Sequence, residues 1–229
     1  MPGLVYNLRP GAVLQDGVTS DDGVTSDMNR FLIFAAAISC ICTGNTALSA
    51  GSAQAGATKS AVCQACHGAT GNSANPEWPS LAGLGGDYIV EQLQNFKDGK
   101  RANAIMQGMA AALSTQDMQD VAAYFDAQVN TGGEADPAHR QAGEKLFRGG
   151  DKTHGIPACM ACHGPNGAGN GPAKFPALRG QHSVYVTEQL TAYAAGTRPP
   201  GPGGIMPAIA KRLSADDIRD LSSYVQGLR

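Results

Sequence analysis

Cys63-Gln64-Ala65-Cys66-His67 and Cys159-Met160-Ala161-Cys162-His163 place two thiols and an imidazole at one spacing, twice, 96 residues apart. Two cysteines separated by two residues and followed at once by histidine spell the attachment signature of c-type haem. The thiols of Cys63 and Cys66, and of Cys159 and Cys162, would become thioethers to the porphyrin vinyl groups. His67 and His163 would lie under the iron as proximal ligands. A zinc reading needs four ligands, typically as two separated pairs, and no further Cys or His pair stands at suitable spacing. A thioredoxin-like redox pair needs a βαβ setting, and none is legible. The chain therefore predicts two covalently bound haem c groups.

The sixth iron ligand is a choice among methionines. Met106, Met109 and Met118 follow the first motif, and methionine is often only adaptable core filler. An internal repeat separates them: Met106 aligns with Met206, whereas Met109 aligns with Ile209 and Met118 with Ile218. A ligand is kept in both copies and a packing position varies, so Met106 and Met206 are the axial candidates. His139, His154 and His182 have no counterpart in the other half and read as surface or loop histidines. With both axial positions filled by His and Met, the iron is suited to electron transfer rather than to activating a small molecule. Pro79 and Pro176 are candidates to offer a backbone carbonyl to the proximal histidine's other ring N–H, or are simple turns. Arg101 and Arg198 precede the methionine loops and either pair with haem propionates or stay solvated.

The elements that must hold these residues repeat with them. Pro79-Ser80-Leu81-Ala82-Gly83 aligns with Pro176-Ala177-Leu178-Arg179-Gly180, Glu91-Gln92-Leu93 with Glu188-Gln189-Leu190, and Tyr124 with Tyr224. Two homologous domains in tandem follow, 50–131 and 132–229, with a linker from about Asn130 to Pro137. Ser114 with Asp117, and Ser214 with Asp217, are N-cap and capping-box pairs. Behind the first, Met118, Val121, Ala122, Phe125 and Val129 recur at helical spacing. Behind the second stand Ile218, Leu221, Val225 and Leu228. Further helices are predicted over Tyr88–Lys97, Val184–Ala195 and Pro137–Arg148. No alternating strand pattern appears, so the predicted fold class is all-α. Each domain of under 100 residues has a modest core, which a buried porphyrin would complete.

Ahead of the repeat, residues 28–49 resemble a secretory signal. Met28-Asn29-Arg30 gives a basic start and Phe31 to Ile38 a short apolar run, with small residues after it. The run is shorter than the ~20 residues that span a bilayer; an uncleaved anchor and a lipoprotein through Cys40 are weaker readings. Residues 1–27 carry a direct repeat, Asp-Gly-Val-Thr-Ser-Asp, and read as an upstream extension before a start at Met28. Export predicts the periplasm. With Cys40 and Cys42 inside the signal, the remaining cysteines are the four of the haem motifs. Residues 50–131 hold four basic and seven acidic side chains, and residues 132–229 hold eleven and eight, so the halves carry −3 and +3. Such a dipole suits docking to a charged partner, and solvated faces would look the same. Nothing points to nucleic acid.

Several stretches beyond the haem motif resemble the cytochrome c4 family. They are Ala61-Val62-Cys63-Gln64-Ala65-Cys66-His67-Gly68, Pro79 to Gly83, Leu113-Ser114 leading into Ala122-Ala123-Tyr124-Phe125, Ala142 to Gly150 and Gly155 to Cys159. The resemblance covers Ala50 to Arg229. It implies two class I cytochrome c domains with their haems facing across a pseudo-twofold interface. It also implies a periplasmic carrier that passes electrons from the bc1 complex or another donor to a terminal oxidase, such as one of the cbb3 type. Peripheral association with the membrane would come through those partners. A dihaem subunit of a flavocytochrome sulfide dehydrogenase is the alternative, and a dihaem peroxidase a more distant one. Where the family has Ala-Gly-Gln, this chain has Ala82-Gly83-Leu84 in the first half and Arg179-Gly180-Gln181 in the second, a departure that bears on packing near the haem edge.

Overall fold

The computed structural model describes residues 50–229. The extension and signal read over 1–27 and 28–49 lie outside the described residues. Among those described, ten α-helices and one short 3₁₀ turn account for the helical structure, with two isolated β-bridges, Asp151 with Ile156 and Asn170 with Phe175. Among the described residues no helix is long and apolar enough to cross a membrane.

In the first half, α1 (Ala53–Lys59) and α2 (Ala61–His67) are followed by α3 (Gly86–Lys97), α4 (Ala104–Ala111) and α5 (Thr115–Asp126). The second half repeats the order with α6 (Pro137–Gly149), α7 (Met160–His163), α8 (Ser183–Ala195), α9 (Ile205–Ala210) and α10 (Ala215–Gly227). Each half is framed by its first and last helices: α1 packs on α5, and α6 on α10. Glycine makes those crossings close. A Cβ on Gly56 would stand 1.9 Å from the Asp120 carbonyl oxygen, and one on Gly143 2.1 Å from that of Asp220. Only a residue without a side chain lets the backbones approach this far.

Local signals set the last helices. Ser114 Oγ accepts the Asp117 N–H while the Asp117 carboxylate accepts the Ser114 N–H, and Ser214 with Asp217 repeats the reciprocal cap. Behind the cap of α5, Met118, Val121, Ala122 and Phe125 are all buried and join Ile89, Leu93 and Phe96 of α3 in the first core. Leu146, Phe147, Ile156, Leu221, Tyr224, Val225 and Leu228 make the second, with the Phe147 and Tyr224 rings 5.4 Å apart.

Val129 departs from the predicted stripe. Helix α5 ends at Asp126, where the Ala127 N–H turns back to the Ala123 and Phe125 carbonyls, and Val129 beyond the turn is 79% exposed. The linker is likewise no loose tether. Thr131 N–H donates to Asn72 Oδ1, Gly133 N–H to the Gln226 carbonyl, and Arg229 donates to the Thr131 and Gly133 carbonyls. It is pinned to both halves along its length.

The two halves form one compact unit. No helix of one half packs on a helix of the other among the described residues; they meet through loops and long side chains. Those contacts are reciprocal. Arg101 donates to the Tyr185 hydroxyl at 3.0 Å and to Gln189 Oε1 at 2.7 Å, and Arg198 donates to the Tyr88 hydroxyl. Arg101 with Arg198, and Tyr88 with Tyr185, are equivalent positions of the repeat at an offset of 97, so the contact obeys a pseudo-twofold relation.

Candidate functional site

Each motif sits on a short helix that ends at its histidine, and glycine then turns the chain away. Gly68 and Gly164 both have φ of 83°, in the region that favours glycine. The turn brings a proline carbonyl back to the ring. His67 Nδ1 is 2.8 Å from the Pro79 carbonyl oxygen, and His163 Nδ1 is 2.9 Å from that of Pro176. A carbonyl only accepts, so Nδ1 carries the proton and the lone pair of the neutral ring stays on Nε2. Burial holds both imidazoles below the usual histidine range, against a smaller opposing effect of the carbonyl. Both rings are thus neutral, oriented and ready to give Nε2 to a metal.

The thiols are single, half-buried groups. Burial pushes the Cys63 thiol up and the Cys159 thiol up to about 11. A catalytic Cys-x-x-Cys does the opposite, lowering the pKa of its nucleophile. These cysteines are built for a permanent bond rather than for dithiol exchange.

Met106 is half-buried on α4 and packs against the first core. Met206 on α9 lines an apolar pocket together with Cys159, Cys162, His163 and Pro176. The other candidates are placed elsewhere: Met118 is core at 1% exposure, and Met109 is exposed on α4. Each competing histidine has its own partner. His139 Nδ1 lies 2.7 Å from Asp220 Oδ1, His154 Nδ1 lies 2.6 Å from Asp151 Oδ2, and His182 Nε2 donates to the Ser73 carbonyl at 2.9 Å. His182 lies in the loop before α8, as the sequence suggested, and is also an interface residue, a role that depends on a contact 109 residues away.

The two arginines also exceed their sequence reading. Arg101 lies 4.6 Å over the Phe96 ring and donates to Gln92, Tyr185 and Gln189. Arg198 lies 4.4 Å over the Tyr193 ring, is 7% exposed, and its Nε has no partner. A buried guanidinium N–H left unpaired is costly. Arg198 lines the same pocket as His163 and Met206, where a haem carboxylate would satisfy it. An apolar pocket with a vinyl-reactive thiol pair, a neutral histidine, a thioether and one orphaned cationic donor fits haem c. The pocket also reaches Leu84 and Tyr88 of the first half, so the site abuts the interface.

The chain matches the Cytochrome c family model twice, over residues 53–127 and 141–229. It is 51% identical over 180 residues to cytochrome c4 of Pseudomonas aeruginosa, covering 78% of this chain and 90% of that one. A thiosulfate dehydrogenase electron acceptor of Thiomonas intermedia is 39% identical over 173 residues, covering 73% of this chain and 78% of that one. The crystal structure of reduced recombinant cytochrome c4 from Pseudomonas stutzeri superposes with a TM-score of 0.76 at 49% identity, over 79% of this chain and all of that one. Two matched domains, each with its attachment motif, and a whole-length structural match together place the chain in the cytochrome c4 family, the dihaem c-type cytochromes that carry electrons.

Proposed function

We propose that the protein is a periplasmic carrier of single electrons between a respiratory donor, such as the bc1 complex, and a terminal oxidase, with a cbb3-type enzyme as the acceptor. In the N-terminal domain Cys63 and Cys66 hold the haem and His67 and Met106 ligate its iron. In the C-terminal domain Cys159, Cys162, His163 and Met206 have those roles. The observation that carries the reading is the repeated pairing of a buried neutral histidine, its Nδ1 tied to a proline carbonyl, with a methionine in the same frame of each half. Haem c supplies a one-electron iron couple, and the chain's part is to attach it, fill both axial positions and keep water and small ligands away. Peripheral membrane association would come through the partners.

An absorption spectrum of the purified protein tests this. Two haems per chain, a full-strength methionine–iron band near the red end of the oxidised spectrum and no response of the reduced protein to carbon monoxide are the expected results. Carbon monoxide binding at one haem would overturn a methionine assignment and reopen peroxidase-type chemistry.

The relative that accepts electrons from thiosulfate dehydrogenase favours a second reading, in which the donor is a sulfur-compound dehydrogenase. Stopped-flow reduction by purified bc1 complex against reduction by such a dehydrogenase separates the two; the faster, saturable reaction identifies the donor.

A further inference from the structure

The loop after each motif runs alike in the two halves. The Gly71 carbonyl accepts the N–H groups of Leu81 and Ala82 at 2.7 and 3.1 Å, and the Gly167 carbonyl accepts those of Leu178 and Arg179 at 2.8 and 3.1 Å. Ser80 and Ala177 are therefore equivalent, as are Leu84 and Gln181. Each loop carries the proline whose carbonyl orients its own half's histidine. Each is also gripped, one residue after that proline, by the opposite half.

The two grips differ. Ala177 N–H donates to the Leu84 main-chain carbonyl at 3.0 Å. In the other direction the partner is a side chain. Ser80 N–H donates to Gln181 Oε1 at 2.9 Å, and Gln181 Nε2 donates to the Ser80 carbonyl at 2.8 Å. The same Oε1 accepts the His182 N–H at 3.1 Å. Ser80 and Gln181 are each 4% exposed, so water does not compete for these bonds. A buried amide with both ends paired holds its partner in one geometry.

We propose that Gln181 is a positioning residue for the haem of the other domain. It fixes the Pro79–Ser80 segment, and through the Pro79 carbonyl it sets the hydrogen bond that orients His67. The inference rests on His67 being an axial ligand of the N-terminal haem. A ring N–H held by a carbonyl makes the imidazole a more basic ligand, and such hydrogen bonding is one of the levers on haem potential. A more basic ligand favours the oxidised iron, so a loosened Pro79 raises the potential of that haem. The reverse grip on Ala177 uses main chain only and tolerates leucine at position 84. The C-terminal domain thus adjusts its neighbour through a side chain, and is itself held through a backbone.

The test is Gln181→Met in the holoprotein, which keeps the length of the side chain and removes its hydrogen bonds. The potentials of the two haems are read by spectroelectrochemistry and assigned by paramagnetic NMR, with exchange of the Ser80 amide followed alongside. The expected result is at least a threefold fall in the oxidised-to-reduced ratio of the N-terminal haem at fixed potential, about 28 mV upward at 59 mV per tenfold. The C-terminal haem, whose pocket Gln181 lines without a side-chain bond to the Pro176 loop, shifts by less, and the Ser80 amide exchanges faster. Gln181→Leu, which places the residue of the equivalent position 84 there, removes the same bonds without adding charge and gives a shift of the same sign; it decides alone if Gln181→Met does not load both haems. Arg229→Lys, which keeps the charge and loosens the linker at Thr131 and Gly133 away from Ser80, leaves the N-terminal potential unchanged. Equal shifts at both haems, an unmoved N-terminal potential with an unprotected Ser80 amide, or the same shift from Arg229→Lys would overturn the proposal. The haem content and methionine–iron band of the wild-type protein are recorded in parallel, and their failure would strike the ligand assignment instead.

Discussion

The N-terminal and C-terminal domains solve one packing problem with different polar chemistry. Both cross their first and last helices at a glycine, Gly56 and Gly143, and both place an aspartate at the crossing, Asp120 and Asp220. In the first domain the partner of the aspartate is Lys59, whose Nζ lies 2.6 Å from Asp120 and 2.5 Å from Asp117. In the second it is His139, with Arg219 at 3.7 Å. The backbone geometry is invariant because it depends on the absence of a side chain, and the ion pair is replaceable because it depends only on charge and reach.

A second contrast lies between motif and core. Cys63 follows the crossing glycine Gly56 by seven positions, and Cys159 follows Gly143 by sixteen, so the C-terminal half carries nine further residues there. They make room for the bridge between Asp151 and Ile156 and for the His154–Asp151 pair. The attachment residues keep their spacing despite that insertion, since Cys-x-x-Cys-His is a local unit and the chain before it only has to return.

The sharpest way to break the comparison is to remove attachment from one half. Replacing both Cys63 and Cys66 by Ala is expected to abolish covalent haem in the N-terminal domain and leave the other loaded, and replacing Cys159 and Cys162 the reverse, with haem per chain and mass spectrometry as the measurement. Loss of both haems from either variant would mean that the halves do not mature separately.

Next in size are the crossings. Gly56→Ala or Gly143→Ala forces a Cβ into a backbone carbonyl, and each is expected to cost about 1–3 kcal/mol as overpacking does. Denaturant unfolding followed at the haem band checks it. Equal costs would show the two crossings to be energetically as well as geometrically alike.

The ion pairs then separate the domains by pH. Lys59 holds the Asp120 carboxyl down at about 2, with the Ser52 N–H and Gln116 adding to it. A depressed carboxyl stabilises the fold at pH above its unfolded value of 3.8, and that contribution is lost as pH falls through the folded value. Lys59→Met should therefore move acid unfolding of the N-terminal domain to higher pH and leave the C-terminal domain unmoved. Circular dichroism against pH, with the two haem bands resolved by the single-haem variants, is the check.

The smallest effect belongs to the exposed His154, which Asp151 raises above the ordinary histidine value of 6.5. Its bond to Asp151 contributes below that value and fades as pH rises through the raised one. NMR titration should show the Asp151→Asn variant titrating lower than the wild type, with no change in either haem.

Much of this is legible in the sequence alone. The two attachment motifs and the capping boxes at Ser114 and Ser214 are short-range patterns in which residue types stand within a few positions of one another, and the tandem repeat shows as the same patterns spelled twice. Helices α3, α6, α8 and α10 were legible to within one or two residues at their ends. Helices α1, α2, α4, α7 and α9 were not, because stretches of four to eight residues are too short for a 3.6-residue period to repeat. Val129 was misplaced in the stripe because periodicity has no way to see where a C-cap turns the chain.

The sequence by itself determined the covalent chemistry and its count, since thioether attachment needs only neighbouring residues. It also determined that the chain is two copies of one helical unit. Tertiary structure alone decided how the copies serve each other: that Arg101 and Arg198 reach across to Tyr185 and Tyr88, that His182 bonds Ser73, and that Gln181 grips Ser80 beside the proline that orients His67. Those pairings join residues 84 to 110 positions apart, and no local pattern encodes a partner at that range. The difference between Leu84 and Gln181 looked like a lapse from a motif, and the fold makes it the point where a side chain replaces a backbone carbonyl.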